Sequence, residues 1–165
     1  MTINQEKKIG KGPEESKAET TIVKLPSDAN PKGNVFGGVI LKHVDLIAGL
    51  VAKRHAGHAN VVTVSIDKMS FLKPIFIGNA VILSARINYV KRSSMEIEVN
   101  IQAEDLDDNT IVHAGTAFVI SVAIDKYGKA TAVPSLILNN DDDKRRFLEG
   151  EARMKLRLNG AKSMK

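Results

Sequence analysis

Apolar and polar positions follow two different rhythms along this chain. From Val35 to about Ala56, apolar residues recur on nearly all sides of a helix, and a basic last turn before Gly57 is typical of a helix end. A helix that is apolar on so many sides is expected to be buried rather than amphipathic. After Asn60 the period changes to two, which is typical of half-buried strands.

The period-two segments predict most of a sheet. One short strand, Thr21–Leu25, precedes the helix. Alternation then continues in four later runs, which begin near Val62, Val81, Met95 and Thr110. Polar turns at Lys91–Ser93 and Asp107–Asn109 predict hairpins between consecutive strands. One strand, one long helix and then four or five strands indicate an α+β fold, in which an antiparallel sheet covers a single buried helix.

The two ends of the chain differ in composition from the rest. Residues 1–19 lack hydrophobic periodicity and any apolar signal segment, so they predict a flexible leader. Residues 20–138 hold the predicted domain and residues 139–165 a charged helix or tail. Of the net charge of +5, +3 lies in residues 141–165, with eight bases and five acids. A basic arm for nucleic acid or a membrane is one interpretation, but the interleaved acids favour a solvated helix that packs on a neighbouring protomer.

Composition excludes several classes of chemistry. The chain has no cysteine, which excludes disulfides, thiolate metal sites and a cysteine nucleophile, and is compatible with a cytoplasmic location. Its four histidines are too scattered in sequence to predict a metal site, and it has no G-x-S-x-G elbow of a serine hydrolase. No apolar run reaches the roughly 18 residues that span a membrane, and few aromatic residues are present for nucleic-acid stacking.

Two positions in the helical region are candidate catalytic sites. Asp45 lies mid-helix among apolar neighbours, where aspartate is a poor helix former and an unpaired buried carboxylate costs several kcal/mol. It is either part of a narrow polar stripe or a general base or nucleophile. Gly37 and Gly38 begin the helix, where unpaired backbone N–H groups suit a developing oxyanion, although glycines before a helix serve many turns.

A third candidate is the turn between two of the later strands. Arg92, Ser93 and Ser94 combine a guanidinium with two hydroxyl groups, a set that can hold a phosphate. The same residues also suit an ordinary solvated turn.

The order and spacing of these residues resemble a known family. The stretch 26–38, PSDANPKGNVFGG, followed by Lys42, Asp45 and the pair Ala48-Gly49, resembles the signature of hotdog-fold acyl-CoA thioesterases. The resemblance is closest to the cytosolic acyl-CoA hydrolase branch, which includes small bacterial enzymes of the YciA type, and it extends over roughly residues 20–125. It implies a hotdog fold, an antiparallel sheet wrapped around one long helix, which is the layout that periodicity predicts.

The resemblance also implies roles for individual residues. Asp45 takes the place of the family's catalytic aspartate and Asn30 that of its paired asparagine. Gly37 and Gly38 match glycines that face the thioester carbonyl. The implied activity is hydrolysis of acyl-CoA to free fatty acid and coenzyme A, with Asp45 as nucleophile or as general base. No metal and no cofactor are expected beyond the coenzyme A of the substrate.

Assembly is a further implication of the resemblance. Arg92, Ser93 and Ser94 match a turn that in relatives lies near the nucleotide part of coenzyme A. Family active sites lie at a dimer interface, which implies a homodimer in which Asn30 of one protomer meets Asp45 of the other, and a hexamer built as a trimer of dimers.

Two other functions fit the same fold. A non-catalytic module that binds acyl-CoA or a nucleotide remains the alternative to a thioesterase. A dehydratase of this fold is disfavoured, because its catalytic histidine precedes the helix and no histidine lies before Lys42.

Overall fold

A computed structural model describes residues 10–57 and 59–163 of the chain. Over these residues the elements are β1 (Ala18–Val23), α1 (Gly37–Ala56), β2 (Asn60–Phe71), β3 (Ala80–Lys91), β4 (Ser94–Glu104), β5 (Ile111–Ile124) and α2 (Asp141–Ser163). The five strands form one antiparallel sheet in the order β1-β3-β4-β5-β2. The predicted α+β class, with one sheet against a long helix, is confirmed.

One face of the sheet packs against α1. The helix buries a stripe of apolar side chains against residues of all five strands: Ile40, Val44, Ile47, Ala48, Val51 and Ala52. The opposite side of α1 is exposed and includes Leu41, Lys42, Asp45, Leu46 and Leu50. The expectation of a helix buried all round is therefore wrong for the single chain. Apolar residues look alike in a sequence whether the chain's own sheet or another surface covers them.

The other face of the sheet is covered by α2. Three arginine–carboxylate pairs clamp the helix to β3 and β4: Arg86–Asp143 at 2.6 Å, Arg146–Glu98 at 2.6 Å and Arg153–Glu96 at 2.7 Å. Between them lies a small apolar cluster of Tyr89, Ile120, Phe147 and Met154. The sequence favoured packing on a neighbouring protomer; in the structure the helix packs on its own sheet, because its bases find partners in the acids of β4.

The structure also differs from the predicted flexible leader. Residues 1–9 of that leader lie outside the described residues. Lys11 forms a bridge with Leu136, and Pro13 and Ser16 are buried in the short 3₁₀ turn that precedes β1. The segment 10–19 thus packs against a part of the chain more than a hundred residues away, which local composition does not reveal.

Strand β2 forms one edge of the sheet and departs from simple alternation. Its pairing with β5 shifts register at Val64 and again at Asp67. The alternation of Val62, Val64 and Ile66 suggested one buried face, but Val62 and Val64 are about half exposed. Each bulge adds a residue and reverses which side chains face the core. None of the helices within residues 10–57 and 59–163 combines the length and hydropathy that crossing a membrane requires.

Candidate active site

The turn before α1 holds Asn30 in a fixed position. Its side-chain Oδ1 accepts hydrogen bonds from the backbone N–H groups of Lys32 at 2.9 Å and Asn34 at 3.2 Å. Its own N–H donates to the Asn34 carbonyl at 2.7 Å, and Gly33 adopts φ 86°, a conformation that favours glycine. Because the amide oxygen closes the turn, the amide nitrogen is the end of Asn30 that can donate to a ligand.

A cleft of about 360 Å³ opens beside this turn. Asn30 and Gly37 lie on its wall, together with residues that follow β2, among them Leu72 and Pro74. A methyl group added to Gly37 would lie 3.5 Å from the ring of Phe71. Since Gly37 begins α1, its N–H and that of Gly38 have no acceptor within the helix, whereas the Val39 N–H donates to the Phe36 carbonyl at 2.9 Å.

Gly38 follows Gly37 at the start of α1 but does not line the cleft of the single chain. Gly38 is exposed and is absent from the cleft wall. A methyl group at this position would collide with the ring of Phe36, which folds back over the helix start. Because the Phe36 ring is exposed, it could move aside, and of the two glycines only Gly37 lines the cleft.

Asp45 lies on the exposed side of α1, outside the cleft. The buried setting that its apolar neighbours suggested is not present in the single chain. Leu46, which follows it, is 60% exposed, and Leu41, one turn earlier, is 39% exposed. Asp45 is thus a carboxylate within an apolar surface that this chain leaves uncovered.

The hairpin Arg92–Ser94 lies at the far end of the sheet from the cleft. Arg92 adopts φ 51°, and its carbonyl accepts a hydrogen bond from Val133 at 2.8 Å. Ser93 is buried and its carbonyl accepts one from Ala123 at 2.9 Å. Ser94 and Val62 both pair with Val122, near the start of β2, whereas Gly37 lies beside the end of β2. One chain does not bring this hairpin to the cleft.

One candidate was missed in the sequence. Thr63 is exposed on β2 and pairs with Ser121. It shares the α1-facing side of the strand with Val61, which packs against the core, because no bulge separates the two positions. The sequence could have indicated Thr63 as a polar residue on the helix-facing side of an edge strand. The bulges that follow Thr63 interrupt the alternation, so the sequence alone did not show which side of the strand faces α1.

Behind the Asn30 turn, a buried lysine joins three elements. The side chain of Lys24 is 1% exposed, and its Nζ lies 3.2 Å from Nε2 of His43 and 3.7 Å from Oδ2 of Asp28. The hydrogen bond from the Leu25 N–H, with the nearby ammonium, lowers the pKa of Asp28. Burial, followed by the charges of Lys24 and Lys42, lowers the pKa of His43.

The three histidines within the described residues lie apart from one another. His43 contacts Lys24, His55 is buried with Nε2 2.9 Å from the Pro134 carbonyl, and His113 lies beside Thr116 on β5. His58 is outside the described residues. Within the residues that are described, no three His, Asp or Glu side chains are placed to hold a metal ion.

Comparison with known proteins relates this arrangement to a family. The family model described as Thioesterase superfamily matches residues 32–108. The cytosolic acyl coenzyme A thioester hydrolase of Rattus norvegicus is 37% identical over 142 residues, which cover 84% of this chain. The chain spans only 37% of the length of that relative. YkhA of Bacillus subtilis, named an uncharacterized acyl-CoA thioester hydrolase, is 35% identical over 78% of this chain and 74% of its own.

Solved structures agree with these relatives. The acyl-CoA hydrolase of Staphylococcus aureus, determined with butyryl coenzyme A and coenzyme A, superposes with a TM-score of 0.86 at 33% identity, over 93% of each chain. Variants of that enzyme with alanine in place of an aspartate, an asparagine and a threonine have also been solved. A hexameric acyl-CoA thioesterase superposes with a TM-score of 0.88 at 32% identity, over 93% of this chain and 97% of its own. This chain belongs to the hotdog-fold family of acyl-CoA thioester hydrolases.

Proposed function

We propose that this protein hydrolyses acyl-CoA thioesters to a free fatty acid and coenzyme A. The observation that carries the proposal is the cleft whose wall includes both Asn30 and Gly37, the residue at the N-terminus of α1. Hydrogen-bond donors at this point suit a thioester carbonyl, whose oxygen gains negative charge when it is attacked. The similar protein of Rattus norvegicus is named a cytosolic hydrolase, and we therefore propose that the reaction takes place in the cytoplasm.

The reaction needs one group to deliver oxygen to the carbonyl carbon. Asp45 is our candidate, either by removing a proton from water or by attacking the carbon itself. In either route the tetrahedral oxyanion collapses, the carbon–sulfur bond breaks and the coenzyme A thiolate leaves with the electron pair; in the general-base route it takes up the proton that Asp45 removed from water. If Asp45 attacks directly, the acyl group remains on its carboxylate as an anhydride, and water then hydrolyses this anhydride, which releases the fatty acid, supplies the proton for the thiolate and regenerates Asp45. Donors at Gly37 and Asn30 would stabilise the oxyanion, so this chemistry requires no metal ion and no cofactor apart from the coenzyme A of the substrate.

A second copy of the chain would complete the site. Apolar side chains of both β2 and α1 are exposed, among them Val62, Val64, Leu46 and Leu50, and we propose that a second copy covers them. If two β2 edges pair antiparallel about a two-fold axis, the start of one β2 lies beside the end of the other. This pairing would bring Asp45 and the Arg92–Ser94 hairpin of one copy toward the cleft of the other, and we propose a hexamer of three such dimers.

The proposed dimer also gives roles in the shared site to the Arg92–Ser94 hairpin and to Thr63. Arg92, Ser93 and Ser94 would contact the phosphates of coenzyme A, since a guanidinium and hydroxyl groups recognise phosphate. Thr63, on the α1-facing side of the β2 edge, would lie at the shared site and donate or accept a hydrogen bond there. The threonine variant of the Staphylococcus aureus enzyme is the reason to test it.

Release of coenzyme A tests the activity directly. A thiol reagent would follow hydrolysis of an acyl-CoA series from acetyl to palmitoyl, and the cysteine-free chain contributes no thiol of its own. We expect Asp45→Ala to lower kcat by about 10²-fold, as loss of a general base does, and Asn30→Ala to lower it less. Asp107→Ala, in the exposed β4–β5 turn, is the matched control and should not change kcat.

Two outcomes would contradict this assignment. A folded protein that binds coenzyme A but releases none from any substrate would be the non-catalytic binding module, a reading supported by the position of Asp45 outside the cleft of the single chain. Full turnover in Asp45→Ala would leave the enzyme class intact and remove Asp45 from the mechanism.

Mixed dimers test whether the site is shared. Asn30→Ala chains and Asp45→Ala chains would be unfolded, mixed in equal amounts and refolded. Each mixed dimer then holds one site with both residues intact, so activity should return to about a quarter of the wild-type value. Both variants refolded separately are the control. No recovery on mixing would show that Asn30 and Asp45 act within one chain.

A further inference from the structure

Lys24 is a buried lysine, which is an unfavourable position for a charged side chain unless other groups stabilise it. The Lys24 ammonium is removed from water, which costs free energy unless partners replace the solvent. Its backbone is fixed on both sides: the N–H donates to the Asn79 carbonyl and the carbonyl accepts from the Gly78 N–H, both at 2.9 Å. The ammonium is therefore held at a defined point between β1, the Asn30 turn and α1.

The partners of Lys24 belong to the two elements that carry the candidate catalytic groups. Asp28 lies in the turn two residues before Asn30, and its backbone carbonyl accepts a hydrogen bond from Phe36, the residue before α1, at 2.8 Å. His43 lies on α1, two residues before Asp45. The contacts at 3.7 Å to Asp28 and 3.2 Å to His43 therefore join the turn to the helix through one buried charge.

We propose that Lys24 is a positioning residue, whose ammonium fixes the Asn30 turn against α1 and does so only while His43 is neutral. This inference rests on the proposed function for its effect on turnover. Nε2 of His43 can accept a hydrogen bond from the ammonium only when it carries no proton. A protonated His43 would instead place a second positive charge about 3 Å from the first and force the two elements apart.

The charges around His43 define the direction of the pH effect. Lys24 and Lys42 oppose protonation of the imidazole, and Asp28 favours it. Burial, reinforced by the two lysines, lowers the pKa of His43 below its ordinary 6.5. The contact is therefore fully present above pH 6.5 and is lost as the pH falls through the lowered pKa. Turnover should fall over the same range.

The first experiment replaces each partner separately in the full-length protein. Lys24→Met removes the charge and should lower kcat by about tenfold, because small errors in position are costly in catalysis. His43→Gln keeps a neutral acceptor and should retain kcat at pH 7.5, yet lose the decline in activity that the wild type shows on acidification. His113→Gln, on an exposed part of β5, is the control and should keep the wild-type pH profile.

A second measurement does not depend on activity. Hydrogen exchange of residues 28–36 should be faster in Lys24→Met than in the wild type, while exchange in α2 stays the same. In the wild type, exchange of this turn should also rise as the pH falls below 6.5, after correction for the intrinsic rate, and in His43→Gln it should not.

The two measurements separate the possible failures. If the wild type releases no coenzyme A, the proposed function fails, and hydrogen exchange alone then decides whether Lys24 holds the turn. If exchange rises in Lys24→Met but kcat does not change, the positioning role is overturned. If Lys24→Met does not fold, the pH profile of His43→Gln still decides: an unchanged acid decline would overturn the requirement for a neutral His43.

Discussion

Asp45 lies about 12 Å beyond Gly37 along α1, a little more than two helical turns. A carboxylate and a set of N–H donors at that separation on one helix cannot act on the same carbonyl group. Gly37 shares its cleft with Asn30, whereas Asp45 belongs to an apolar surface that the chain leaves open. This separation within one chain is the structural reason for assigning the catalytic carboxylate of each site to the other copy.

Loss of the Thr63 hydroxyl should impair turnover. Thr63→Val keeps the shape and the preference for a strand, so the expected fall in kcat, about tenfold or more, would come from the lost hydrogen bond. Thr116→Val is the matched control, because Thr116 lies on the opposite face of the sheet, beside His113. Equal kcat for Thr63→Val and the wild type would exclude Thr63 from the site.

Arg92→Ala should weaken recognition of the nucleotide end of the substrate. KM for acyl-CoA should rise while kcat changes little, because a guanidinium that contacts phosphate contributes equally to substrate and transition state. An acyl-pantetheine without the nucleotide should show no difference between variant and wild type. Arg145→Ala, on exposed α2, is the control; an equal rise in KM there would indicate a general effect of charge.

Gly49→Ala should distinguish a free helix surface from an interface. A methyl group at Gly49 meets nothing within 4 Å in the single chain, so helix propensity alone predicts a gain of up to about 1 kcal/mol. If a second copy packs against α1, the methyl group should instead weaken the dimer, which sedimentation over a dilution series would detect. Gly160→Ala, where the added methyl group likewise meets nothing within 4 Å, is the control and should leave assembly unchanged.

The sequence predicted most of the helices and strands, but it did not predict which individual side chains are buried or exposed. The last strand was predicted over Thr110–Ile124 and is observed over Ile111–Ile124, because a long alternating run with a polar turn before it admits few other structures. The exposure of Asp45 and the burial of Lys24 depend on contacts between distant segments. No local pattern encodes them, so the sequence could point to Asp45 as a candidate but could not predict its environment, and it did not single out Lys24.

Gly150→Ala should destabilise the protein despite the better helix propensity of alanine. The new methyl group would lie 2.8 Å from Cβ of Tyr89 on β3 and 2.9 Å from Oε1 of Glu96 on β4. We expect the free energy of unfolding to fall by about 1–3 kcal/mol, a typical cost of overpacking. Urea unfolding would measure it, and a gain in stability would show that α2 moves away from the sheet without cost.

Stability should fall on mild acidification because of His55. Its Nε2 donates to the Pro134 carbonyl, so Nδ1 carries no proton, and that atom has no hydrogen-bond partner within the described residues. Burial lowers the pKa of His55. The stabilising contribution is present above pH 6.5 and is lost as the pH falls through the lowered pKa. His55→Gln should reduce the pH dependence of the urea midpoint, and an unchanged dependence would contradict this account.

The two edges of the sheet are unequal, and this difference limits how chains can associate. β2 presents twelve residues with exposed valines, whereas β1 presents six and is followed directly by Lys24, Leu25 and Pro26. Head-to-tail addition of sheets needs two compatible edges, and a short edge that ends near proline is a poor one. The proposed pairing of β2 with its own copy would use the only long edge in each described chain, so growth would stop at two sheets and open-ended fibres would be disfavoured.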